Sequence, residues 1–89
     1  TFLDIAHQYE LLRLFHRLHG EGRTVVAVLH DLNQAARFAD HMVMMRDGRV
    51  VASGDPAEIV TAQRVEEVFG LECSVIPDPH AGTPLVVPR

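Results

Sequence analysis

TVVAVL, residues 24–29, runs directly into His30 and Asp31. After Thr24 every residue of this run is apolar, and most are β-branched. A strand with one face in water alternates apolar and polar side chains. A run that does not alternate predicts a strand covered on both faces, in the middle of a sheet. Such a strand needs neighbouring strands and a layer of helix on each side. The 89 residues supply one run of this kind and few partners for it. The chain therefore reads as the later portion of a larger α/β domain. It opens at Thr1 without an initiator Met, as a piece of a longer protein would.

Outward from that run the punctuation is local. Upstream, Asp4 can cap a helix reaching about His19, with Ile5, Tyr9, Leu12, Phe15 and Leu18 at helical spacing. Leu11 and Leu14 widen this face, which predicts a helix packed on a sheet, ended by Gly20 and Gly22. Downstream, Asp31 and Gln34 have the spacing of a capping box for a helix to about Ala39. Residues 41–46 and 49–53 are strand-like, and Asp47-Gly48 between them predicts a hairpin because Gly tolerates positive φ. Asp55-Pro56-Ala57-Glu58 opens a short helix, with Asp as cap and Pro at the first helical position. Thr61 caps another, with Val65, Val68 and Phe69 apolar and Gly70 as its stop. Residues 73–76 and 85–87 are two short strands flanking a Pro-rich loop at 77–84. Two strands so short cannot stand alone, so they are expected to pack on the rest. This divides the chain into residues 1–69, which carry the helices and the first hairpin, and a small β-rich tail at 70–89.

Composition narrows the function. Hydrophobic residues are 47% of the chain, ordinary for a globular protein. The longest apolar runs, 25–29 and 42–45, fall far short of the roughly 20 residues that cross a membrane. The opening residues carry no signal-peptide pattern, so any membrane association is expected to run through a partner. The net charge is -4, the wrong sign for a nucleic-acid surface. All 8 basic residues are Arg. A phosphate-binding loop of the P-loop type needs a Lys to reach the terminal phosphates, and none is present. Cys73 is alone, which rules out an internal disulfide and suits a reducing compartment.

In open α/β sheets, ligands sit beyond the carboxyl ends of the strands, and His30 occupies that place. An imidazole there can donate a hydrogen bond to an anion or a water. The bland alternative is that His30 only packs or caps. The surroundings favour chemistry. TVVAVLHDLNQAARFADHMVMMRDGRVVASGDPAEIV, residues 24–60, resembles the switch-histidine region of ABC ATPases, with strand, His-Asp pair, helix, hairpin and Gly-Asp-Pro helix start in the family's order. TFLDIAHQYELL, residues 1–12, resembles the segment after the Walker B strand, with Leu3-Asp4 as the D-loop. LDIAHQYELLRLF and VFGLECSVIPDPHAGTPLVVP look like the branch paired with iron-siderophore, haem or cobalamin permeases.

The resemblance implies the C-terminal portion of a P-loop NTPase domain, α/β in class, with a small C-terminal β appendage. It implies that His30 contacts the γ-phosphate of ATP and the attacking water. Leu3 and Asp4 would then work at the interface between two ATPase subunits. Asp31 reads as a helix cap before a catalytic group. The parent would bind ATP and Mg2+, form a homodimer, and dock on membrane permease subunits, with a substrate-binding protein further out and no nucleic acid. It would lie peripherally on the cytoplasmic side of a bacterial inner membrane. The departures are equally specific. The G-x-x-x-x-G-K-[ST] loop, the Q-loop, the LSGGQ signature and the Walker B carboxylates are not in this sequence. The chain by itself is therefore expected to bind no ATP or Mg2+ and to hydrolyse nothing. Two rivals are a stand-alone interaction or regulatory domain and a non-transport ABC ATPase. The missing basic patch speaks against the second. A hydrolase dyad of His30 and Asp31 lacks a Ser or Cys nucleophile, and adjacent side chains usually diverge. His16 and His19 share a helix face but lack further ligands, so they read as solvated rather than metal-binding. Met42, Met44 and Met45 read as strand core, His41 as the start of a strand, and His80 as exposed.

Overall fold

The computed structural model describes residues 4–89. It combines four helices and two small antiparallel sheets: α1 (Ile5–Gly20), α2 (Leu32–Phe38), β1 (Met42–Arg46), β2 (Arg49–Gly54), α3 (Pro56–Ile59), α4 (Ala62–Phe69), β3 (Cys73–Pro77) and β4 (Pro84–Pro88).

The first hairpin forms where Asp47-Gly48 predicts it. Both residues have positive φ, 52° and 75°, as the primed two-residue turn requires. Beyond the turn the register shifts. Met44 faces Ala52 but Met45 faces Val50, so Val51 is an extra, bulged residue. On β1 the side chains still alternate between core and solvent. Met42 and Met44 enter the core, but Met45 is 55% exposed, which corrects the reading of all three methionines as core.

The second hairpin, β3 with β4, has a simpler logic. Hydrogen bonds from Asp78 N–H to the Thr83 carbonyl and from Arg89 N–H to the Glu72 carbonyl flank its ladder. Antiparallel pairs alternate between bonded and non-bonded. The pairs Pro77–Pro84, Val75–Val86 and Cys73–Pro88 are therefore the non-bonded ones, whose N–H groups point out of the ladder. All three prolines of these two strands occupy such positions, where the missing donor costs nothing.

One core joins these pieces. It comprises Ala36 of α2, Met42 and Met44 of β1, Ile59 of α3, Val60, Val65 of α4, Cys73 of β3 and Val86 of β4. Val65 is fully buried. The tail strands thus pack on the rest, as expected. Gly70 ends α4 in the left-handed conformation at φ 69°, which turns the chain back toward β3.

The N-terminal part differs from its expectation. Residues 24–29 form neither helix nor strand, and they are not covered. Val26 is 90% and Val28 86% exposed. Nor does α1 lie on a sheet. It packs on α2, where Tyr9 meets Phe38 edge-on at 5.9 Å and the Arg37 guanidinium lies 5.8 Å from the Phe38 ring. Leu12 is the buried residue of α1, while Ile5, Leu11 and Leu14 are exposed. The physical reason is common to both. These apolar faces have the pattern of buried surface, but among the described residues no sheet lies against them.

Candidate functional site

His30 sits at a bend between the extended residues 24–29 and the first turn of α2, and it is exposed. Its imidazole makes no hydrogen bond or ion pair with any described residue. Asp31, its neighbour, is committed elsewhere. It is the N-cap of α2, and its Oδ1 accepts from the backbone N–H of Asn33 at 2.9 Å and of Gln34 at 3.1 Å. Those bonds satisfy two donors that a helix start leaves open. The carboxylate therefore serves the helix, and the His30-Asp31 pair is no catalytic dyad.

The capping-box expectation holds only in its first half. Gln34 does not fold back on the cap. Its buried side chain donates through Nε2 to Gln8 Oε1 on α1 at 3.1 Å. Asn33 was not foreseen at all. Its carboxamide bonds twice to the backbone of Val86, donating through Nδ2 to the carbonyl at 3.1 Å and accepting through Oδ1 from the N–H at 2.7 Å. The first turn of α2 is thus tied to itself by Asp31, to the tail by Asn33 and to α1 by Gln34.

Asp4 caps α1. Its Oδ1 accepts from the His7 backbone N–H at 2.9 Å and lies 3.3 Å from His7 Nδ1. Leu3 lies outside the described residues. Asp4 and His30 thus head two helices that the Gln8–Gln34 bond joins. A second tie between the regions is His19, whose Nε2 lies 2.6 Å from Asp40 Oδ2 and whose Nδ1 is 3.3 Å from the Arg23 carbonyl oxygen. His19 is therefore a structural link, and His16 stays exposed. His41 Nε2 is hydrogen-bonded to Ser53 Oγ at 2.8 Å across the first hairpin. His80 is exposed, as expected.

Among the described residues no three His, Cys, Asp or Glu side chains come together to hold a metal ion. Among the same residues no helix is long and apolar enough to cross a membrane. The Asp78 carboxyl is held below the usual carboxylate range. The backbone N–H groups of Ala81 and His80 donate to it in the turn between β3 and β4.

No family model matches the chain. Curated proteins do, along nearly all of it. The ferric enterobactin transport ATP-binding protein FepC of Escherichia coli K12 is 57% identical over 89 residues, which is 99% of this chain and 33% of that protein. The achromobactin transport ATP-binding protein CbrD of Dickeya dadantii is 49% identical over 99% of this chain and 33% of its own length. The probable siderophore transport system ATP-binding protein YusV of Bacillus subtilis is 48% identical over 100% of this chain and 33% of its own length. The chain spans about a third of the length of these relatives. Over its whole length the chain is thus similar, at 41–57% identity, to the C-terminal region of several ATP-binding subunits of siderophore and iron-hydroxamate importers.

Proposed function

We propose that these residues are the C-terminal third of an ATP-hydrolysing subunit that drives uptake of ferric siderophores through an ABC importer. In that reading His30 is the switch histidine and Asp4 the D-loop aspartate. The observation that carries it is the state of His30, exposed and without a partner among the described residues at the end of an apolar run, in a chain 57% identical along 99% of its length to a siderophore-transport ATP-binding protein. The siderophore class comes from the relatives' names, which narrow the broader expectation of siderophore, haem or cobalamin. The fold would be the later portion of a P-loop NTPase domain. In it residues 24–29 become a central strand once the remaining strands cover Val26 and Val28.

The chemistry of this chain's own groups is limited and specific. A phosphoryl-transferring site is mostly positioning and electrostatics. With no Lys in the sequence and no metal cluster among the described residues, the phosphate cradle and the Mg2+ ligands belong to other parts of the subunit. His30 supplies one N–H aimed at a terminal phosphate oxygen, and holds the attacking water in line. Asp4, at the head of α1, faces a second copy of the subunit in a homodimer. The permease is the membrane partner, and the subunit lies against it on the cytoplasmic side. A substrate-binding protein acts further out.

The test is His30→Ala in the complete subunit. Losing one preorganised stabilising group costs about 2.7–4 kcal/mol of barrier, roughly 100- to 1,000-fold in turnover. MgATP binding, measured by calorimetry, should change little. Near wild-type turnover would show that His30 only packs.

A further inference from the structure

The C-terminal hairpin reaches the switch region through one side chain. On the outward side of β4 the residues whose N–H leaves the ladder are Pro84, Val86 and Pro88, and two of them have no N–H. Val86 is the remaining donor, and the Asn33 carboxamide takes both its N–H and its carbonyl, at 2.7 and 3.1 Å. A carboxamide presents a donor and an acceptor side by side, as a peptide group of a neighbouring strand does. Asn33 therefore stands in for one residue of a strand that β4 lacks. Val86 is itself in the core, 6% exposed, so the joint is seated on a rigid base.

The other end of the joint is the second residue of α2, three positions after His30. Among the described residues no hydrogen bond holds residues 24–30. In the complete subunit a strand at 24–29 would hold His30 from its N-terminal side, and the first turn of α2 holds it from the other. We propose that Asn33 is a positioning residue for His30: by locking the start of α2 to Val86 it lets the C-terminal hairpin set the alignment of the histidine. This rests on the reading of His30 given above. A group displaced by about 1 Å can lose up to roughly 100-fold in rate, so a joint one helical turn away is close enough to matter.

The experiment is steady-state MgATP hydrolysis by the complete subunit as wild type, Asn33→Ala, His30→Ala and the double variant. Hydrogen exchange at the Val86 amide is followed alongside. Asn33→Ala should speed Val86 exchange, lower kcat by about tenfold and leave KM for MgATP within about twofold. It should cost nothing further in the His30→Ala background, because the group it aligns is gone. Asn33→Asp keeps an acceptor for the Val86 N–H but no donor for the carbonyl, and should fall between wild type and Asn33→Ala. Wild-type kcat in Asn33→Ala, with Val86 exchange accelerated, overturns the proposal. So does an equal loss with and without His30, which would make the joint a matter of general stability. Failure of both Asn33 variants to fold would assign the residue to the fold alone and overturn it too. If His30→Ala itself turns over normally, it is the reading of His30 that fails, and that arm is read separately.

Discussion

Residues 31–89 and residues 4–30 share a chain but not a condition. The first part closes on itself. Its helices and hairpins bury Met42, Met44, Val65, Cys73 and Val86 in one core. The second part has buried-type patterning and little to bury it against. Val26 and Val28 are almost fully exposed, and Ile5, Leu11 and Leu14 of α1 are exposed to a lesser degree. Local sequence can thus specify the state a segment needs without containing what provides it. The same six residues that argue for a central strand are, among the described residues, a bare apolar ribbon.

The sharpest way to break this contrast is a pair of charges in that ribbon. Val26→Asp with Val28→Asp should leave the unfolding free energy of the isolated chain within about 0.5 kcal/mol, as exposed substitutions do. The wild-type chain is expected to self-associate through this exposed patch, and the pair of charges should lower that self-association in light scattering. In the complete subunit the same pair should prevent folding, since unpaired buried charges cost several kcal/mol each. A complete subunit that tolerates both would mark residues 24–29 as a surface loop there as well.

A smaller effect sharpens the contrast within the core. Met44→Ala should cost about 2–5 kcal/mol in chemical denaturation, by lost burial and the cavity left behind. Met45→Ala, one position along but beyond the bulge, should cost within about 0.5 kcal/mol. Equal costs would mean that β1 does not alternate between core and solvent.

The smallest effect is electrostatic. The Asp78 carboxyl is held below its ordinary value by the N–H groups of Ala81 and His80. A carboxyl depressed on folding binds its proton less readily in the folded chain than in the unfolded one. Its contribution is therefore fully present above the unfolded value of about 3.9 and is lost as pH falls through the lower folded value. Asp78→Asn should lower stability slightly at neutral pH and flatten the acid limb of the stability curve. An unchanged acid limb would mean that the turn does not depend on the charge.

The elements of residues 31–89 were legible because their signals act within a few positions. Asp31 caps its own helix, Asp47-Gly48 turns its own hairpin, Asp55-Pro56 starts α3, and Thr61 and Gly70 bound α4. Asp4 was legible as the cap of α1, while His30 was singled out by an apolar run that forms no strand among the described residues. The ties between elements were not. Asn33 and Val86 are 53 positions apart, and Gln8 and Gln34 are 26 apart. No periodicity encodes such pairings. A trace of the first was present in the prolines at 84 and 88, which leave residue 86 the one donor on that side of β4. The bulge at Val51 was also invisible, because the residues around it are apolar in either register.

The spacing of prolines in β4 has a consequence for how this chain meets other copies of itself. Strands seed polymers when a free edge offers a regular row of donors to the next chain. Here the edge offers none at Pro84 or Pro88, and the one at Val86 is spent on Asn33. A second molecule arriving at β4 finds carbonyls but no partner for its own. The tail hairpin is closed to recruitment on that side, which leaves the other strand edges and the apolar ribbon at 24–29 as the surfaces where copies can meet.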